Sequence, residues 1–195
     1  SLKDNKPKPK RGTAMQLRNG FRTATRSALV NVPATDESKR NGKALSLCLY
    51  KESTTRGNKN VQAMTGYVID LDGKTPDDVA SMKTRLIELG LFAFGYTTWS
   101  HGWAKEGECW RFVIPFASPV DAGAWSARWP RLNNHLAIGM NDPATKDCAR
   151  LHLAPRAPKF VPRNGVEVEN CPPLWWENDG KLFDVESDMP LASPT

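Results

Sequence analysis

Cysteine is scarce and scattered in this chain: Cys48, Cys109, Cys148 and Cys171 stand far apart, with no Cys-x-x-Cys pair among them. That spacing excludes a zinc ribbon and a disulfide framework, and it points to reduced thiols in a cytoplasmic protein. No apolar run approaches the roughly 20 residues of a membrane span, and no signal-peptide pattern is visible. The ATPase loop Gly-x-x-x-x-Gly-Lys-Ser/Thr is missing, so any helicase working with this chain belongs to another part of a longer protein or to a separate one. A His-x-His pair near a tyrosine nucleophile, which a nicking initiator would need, is absent too. No internal repeat is evident.

What remains is ordinary for a globular domain: 39% hydrophobic and 25% charged residues in 195 positions, enough for one domain with a full core. The net charge of +6 is unevenly placed. Lys3, Lys6, Lys8, Lys10, Arg11, Arg18, Arg22 and Arg26 crowd the beginning, whereas Glu177, Asp179, Asp184, Glu186 and Asp188 make the end acidic. We divide the chain into a basic arm at 1–13, a domain at 14–176 and an acidic tail at 177–195. A basic arm suits nucleic acid; a solvated leader is the plainer alternative.

Local patterns predict a weak helix within 15–32, a strand over 44–50, and a polar stretch with Arg56 leading by a hairpin into a strand over 65–73. A well-marked helix follows. Thr75 caps it, Pro76 suits its first turn, Asp77 and Asp78 favour the positive dipole end, and Val79, Met82, Leu86 and Leu89 recur at helical spacing. Strands are predicted over 91–98 and 109–116, pairing antiparallel across the loop 99–108. Trp125, Trp129, Leu132 and Leu136 read as a helix core face, with Pro130 expected to break it. A polar turn from 141 leads to a short strand at 150–154, and a Pro-rich strap carries Trp175 and Trp176.

The chemistry centres on Thr65-Gly-Tyr-Val-Ile-Asp-Leu-Asp-Gly73. On a strand, Tyr67, Ile69 and Leu71 face one way while Val68, Asp70 and Asp72 face the other, so the two carboxylates lie side by side. Such a pair suits Mg²⁺ or Mn²⁺, ions most often used on phosphate esters. Ordinary strand-to-turn chemistry is the competing reading. A β-α-β crossover would bring His101 to the same sheet end, with Arg111 across the hairpin; His and Arg beside two acids suit a triphosphate on a metal. A third carboxylate would come from Asp142 or Asp147, and we prefer Asp147 because Asp142-Pro143 looks like turn chemistry. Arg150 holds phosphate or pairs with an acid. His135 and His152 look structural, and Trp103 is placed where a base could stack.

In order, Val68-Ile-Asp-Leu-Asp72, Tyr96-Thr-Thr-Trp-Ser-His101, Arg111-Phe-Val-Ile-Pro-Phe116 and Asp147-Cys-Ala-Arg-Leu-His-Leu-Ala-Pro155 resemble the motifs of the archaeo-eukaryotic primase (AEP) superfamily. More narrowly, they resemble primase-polymerase domains of phage and plasmid replication proteins. The match covers about 44–160. It implies an α/β (α+β) fold, an RRM-like mixed or antiparallel sheet with packed helices. It further implies DNA-dependent nucleotidyl transfer, with Asp70, Asp72 and Asp147 holding two divalent ions. Ser100, His101, Arg111 and Arg150 would bind nucleotide phosphates. A single-stranded DNA template would meet Lys8, Lys10, Arg11, Arg56 and Trp103, and nucleoside triphosphates would be the substrates. The motif's small residue two positions before the His is here Trp99.

Two rivals remain. Val-Ile-Asp-Leu-Asp-Gly-Lys also resembles the nucleophile motif of haloacid-dehalogenase-like phosphatases, with Asp70 attacking phosphate, although no downstream Gly-Asp-x-x-x-Asp follows. A non-catalytic single-strand binding module would use the basic arm and exposed aromatics.

Overall fold

A computed structural model describes residues 12–189, so Lys8, Lys10 and Arg11 of the arm lie outside the described residues. The principal helices are α1 (Ala14–Arg26), α2 (Pro76–Glu88) and α3 (Ala122–Ala137). The main sheet contains β1 (Cys48–Tyr50), β2 (Val61–Lys74), β3 (Ala93–Thr97), β4 (Glu108–Asp121) and β5 (Trp175–Asn178). Its order is β5-β3-β4-β2-β1, every neighbouring pair antiparallel. Because β4 separates them, β2 and β3 run parallel, and α2 is the crossover that carries the chain from one to the other. Both strands therefore end on the same side of the sheet.

The alternation in β2 decides the layers. Tyr67, Ile69 and Leu71 join Phe112 and Ile114 of β4 in one core, sealed by Val79, Met82 and Leu86 of α2 and by Trp125, Trp129, Leu132 and Leu136 of α3. Val68 and Val113 face the opposite layer with Phe94 and Tyr96, where Phe21 of α1 tilts against both rings. This second layer covers only part of its face. Beyond it, on the same face of the sheet, come Asp70 and Arg111, cross-strand neighbours in the ladder.

α2 begins as its sequence requires, with a reciprocal cap between Thr75 and Asp78 and Pro76 in the first turn. α3 departs from expectation: it runs unbroken through Pro130. The buried stripe of Trp125, Trp129, Leu132 and Leu136 holds both halves to one sheet face, which outweighs the missing N–H. The 44–50 strand is in fact two. Ala44–Leu45 pairs with His152–Leu153, and Cys48–Tyr50 joins β2. The helix expected within 15–32 stops at Arg26, and Leu29–Val30 pairs in parallel with Ala157–Pro158.

The acidic end is part of the body as far as Met189. Glu177 lies in β5 and pairs with Arg22, Asp179 receives Arg18 at 2.5 Å, and Phe183 is buried against Phe116. Those acids neutralise the inner face of α1, which explains why a basic helix can lie on the sheet. No described helix is long and apolar enough to cross a membrane.

Candidate active site

The site is built where β2 leaves the sheet. Asp70 is 4% exposed, and its Oδ2 accepts a 2.7 Å bond from Arg111 Nη2 on β4. Its other oxygen, Oδ1, is buried without a hydrogen-bond partner. Burial works against the Arg111 charge, but the Asp70 carboxylate and the Tyr96 hydroxyl outweigh it and raise its pKa, so the guanidinium stays charged. Its Nη1 donates to the Leu153 carbonyl at 3.1 Å, and Tyr96, whose own pKa burial pushes up to about 12, donates to the same carbonyl at 2.8 Å. Arg111 is thus consumed in holding Asp70 and the 152–153 segment.

Two residues on, the ladder is irregular between Leu71 and Lys74. Gly73 there has φ +63 and faces Gly107 with φ +81, where a Cβ would lie 2.7 Å from the Lys74 carbonyl. Only glycine permits that close crossing. The irregularity leaves Asp72 at the surface, where its Oδ2 meets Lys105 Nζ at 2.5 Å. Bonding to Asp72 raises the Lys105 pKa, and the Asp70 charge contributes to the same shift.

Lys105 comes from the 99–107 loop, which is folded around Ser100. That buried residue's carbonyl receives the N–H groups of Ala104 at 3.1 Å and Lys105 at 3.3 Å. His101, half-buried, accepts a 3.2 Å bond at Nδ1 from the Cys109 N–H, and Glu108 Oε2 lies 3.8 Å from the same nitrogen. Burial lowers the His101 pKa, with Glu108 opposing it. A neutral ring whose Nδ1 accepts carries its proton on Nε2, so His101 presents an N–H donor. Cys109 links the two halves, since the Asp72 carboxylate also lies beside its thiol. Trp103 packs edge-on against Trp99 and gives its indole N–H to the Trp99 carbonyl at 2.6 Å. Arg56 lies exposed in the 51–60 loop, near Tyr50.

The later acids separate. Asp142 gives its N–H to the Asp70 carbonyl at 3.1 Å, and its Oδ2 accepts from Arg150 at 3.3 Å. Asp147 instead bonds the Ala149 N–H and lines a cavity of about 450 Å³ with Asn58, Trp125 and Cys148. Among the described residues no cluster of three or more His, Cys, Asp or Glu side chains is gathered as a metal site. Asp70 and Asp72 nevertheless fit a small hard cation. One offers an unsatisfied buried oxygen, the other already holds an ammonium, and Mg²⁺ commonly takes one or two carboxylates with water and substrate phosphates completing its shell.

Sequence reasoning missed Asn141, whose partners lie some 70 positions away. Past the end of β1 the edge of β2 would be bare, and Asn141 closes it. Its Oδ1 accepts the Asp70 N–H at 2.7 Å, while Nδ2 donates to the Val68 carbonyl at 2.8 Å and to the Tyr67 hydroxyl at 2.9 Å. Asn141→Ala strands three buried polar groups and is expected to cost about 3 kcal/mol of folding stability, measured by denaturant unfolding. A loss below about 0.5 kcal/mol would show that the clip does not hold the strand.

His152 is buried, its Nδ1 has no partner, and burial followed by Arg111 and Arg150 drives its pKa well below 6.5. As pH falls through 6.5 the unfolded chain takes the proton first, so stability should drop by up to about 1.4 kcal/mol per pH unit until the folded-state pKa is reached. His101 and His135, both shifted down, act in the same direction. Unfolding at pH 7.5 and 5.5 checks this; an unchanged pH slope in His152→Asn would refute the assignment.

No protein-family model matches the chain, and no curated protein matches it. Among solved structures it is similar to the AEP domain of the primase-polymerase of cyanophage S-2L, at 13% identity and a TM-score of 0.50, over 80% of this chain and 75% of that one. The likeness is one of fold: a mixed α/β domain with an antiparallel sheet and packed helices, arranged as in an AEP-like domain.

Proposed function

We propose that the chain is a primase-polymerase domain that joins nucleotides on a single-stranded DNA template. The observation that carries this reading is that Asp70 and Asp72 both act on the Lys105 ammonium, with His101 bonded to the Cys109 N–H whose thiol lies beside Asp72, in an AEP-like fold whose solved neighbour is a primase-polymerase. In the reaction a 3′-hydroxyl attacks the α-phosphorus of a nucleoside triphosphate, the bond to the bridging oxygen breaks, and pyrophosphate leaves. Mg²⁺ or Mn²⁺ held by Asp70 and Asp72 would activate the attacking oxygen and neutralise charge on the phosphates.

The chain's own groups have separable tasks. Asp70 is fixed by Arg111 and Asn141, and His101 offers Nε2–H to a phosphate oxygen. Ser100 shapes the loop that carries His101. Of the two later acids, Asp142 is the one bonded to the Asp70 backbone, while its carboxylate is taken by Arg150 and the Ala144 N–H; Arg150 would hold that acid rather than a phosphate. Arg56 and Trp103 are the described residues offered to template, joined by Lys8, Lys10 and Arg11 of the arm. A replicative helicase, in the same longer protein or separate, would supply the opened strand.

The phosphatase alternative has less behind it: its nucleophile motif calls for a downstream Gly-Asp-x-x-x-Asp, and the sequence has none. The deciding assay supplies labelled nucleotides and unprimed single-stranded DNA with Mg²⁺ or Mn²⁺. Template-dependent products are expected. Phosphate released from a generic ester instead would establish the phosphatase, and DNA binding without either reaction would leave a binding module.

A further inference from the structure

The cation-site reading leaves a gap on the phosphate side. Arg111, the basic residue that the sequence placed against the triphosphate, has Nη2 on Asp70, Nη1 on Leu153 and Nε buried, and its side chain is 12% exposed. Withdrawing it would strand the Asp70 charge. Arg150 is likewise engaged with Asp142. Among the described residues, Lys105 is a cation on Asp72 itself that can move. Its side chain is 44% exposed, that of its partner Asp72 is 39% exposed, and its backbone is fixed at Ser100. Motion is therefore confined to the four-carbon stem.

We propose that Lys105 is an exchangeable counter-ion: its ammonium occupies Asp72 until a divalent ion enters, and then turns to the phosphates of the incoming nucleotide. This rests on the reading of Asp70 and Asp72 as the cation site. An exposed Lys–Asp pair contributes at most about fivefold to an equilibrium, so a divalent ion drawn by two carboxylates displaces it. Once displaced, the ammonium is repelled by the entering ion and faces the one new anion, the triphosphate beside His101 on the same loop. Metal entry and nucleotide binding are thereby coupled through one side chain.

The test is Mn²⁺ titration followed by electron paramagnetic resonance of the free ion, on wild type, Lys105→Met, Lys105→Arg and Asp72→Asn, together with affinity for a non-hydrolysable nucleoside triphosphate in saturating Mn²⁺. Lys105→Met is expected to bind Mn²⁺ about three- to fivefold more tightly without nucleotide, by loss of the competing ammonium. It should bind the triphosphate analogue roughly tenfold more weakly, by loss of one charge-assisted contact, and Lys105→Arg should restore the latter. Unchanged Mn²⁺ affinity in Lys105→Met, with Asp72→Asn abolishing binding, would overturn the exchange while leaving the cation site intact. Tighter Mn²⁺ with unchanged analogue affinity would overturn the phosphate role. Failure of wild type to bind Mn²⁺, or binding indifferent to Asp72→Asn, would overturn the site and the proposal together.

Discussion

Asp72→Asn is expected to reduce template-dependent nucleotide incorporation by about 10²- to 10³-fold while leaving the fold almost untouched. The activity loss corresponds to roughly 2.7–4 kcal/mol of transition-state stabilisation, the scale on which one charge-stabilising group at a reacting phosphate acts. The stability change is small because the Asp72–Lys105 pair is exposed on both sides, and such pairs contribute about 0–1 kcal/mol. For a domain of this size 1 kcal/mol moves the unfolding midpoint by about 2–4 °C. Single-turnover incorporation and thermal unfolding on the same preparation measure both quantities. Wild-type incorporation by Asp72→Asn would remove the carboxylate pair from the mechanism.

The separation of the two effects follows from how the motif is folded, and much of that folding could be read beforehand. The alternation Tyr67-Val-Ile-Asp-Leu-Asp72 fixes which residues enter the helix-covered core, because a one-residue slip would bury both carboxylates among apolar side chains. The crossover from β2 to β3 followed from the capped α2 pattern, and it brings the His101 loop to the end of the sheet where Asp72 lies. What was not legible depends on contacts between distant segments. That Asn141 would close an open strand edge, or that Leu153 would offer one carbonyl to both Tyr96 and Arg111, has no local signature. The role of Arg111 changed for the same reason. From sequence it is a basic residue opposite a histidine; in the ladder it sits directly opposite Asp70, and burial leaves it one partner it can hardly release. Lys105 carries no local signal in the sequence; it is the paired glycines 73 and 107 that bring its loop against Asp72.

Asp70 should behave differently from Asp72 despite lying two positions away. Its side chain is 5% exposed, and that of its partner Arg111 is 12% exposed. Asp70→Ala leaves a buried guanidinium whose Nε already lacks a partner, and Arg111→Met leaves a buried carboxylate whose Oδ1 does. Each single replacement is expected to cost about 3–5 kcal/mol, lowering the unfolding midpoint by roughly 10 °C. Replacing both, as Asp70→Leu with Arg111→Met, removes the two charges together and should recover most of that loss, leaving a domain within about 1 kcal/mol of wild type yet inactive. The cycle thus separates two reasons for inactivity that a single Asp70 variant confounds. If the two single losses simply add in the double variant, the charges are not coupled, and the buried pair cannot be what holds Asp70 for the cation. If the double variant is stable and silent, the pair is retained at a cost to the fold because the chemistry requires a carboxylate at that point, and Arg111 is there to hold it in place.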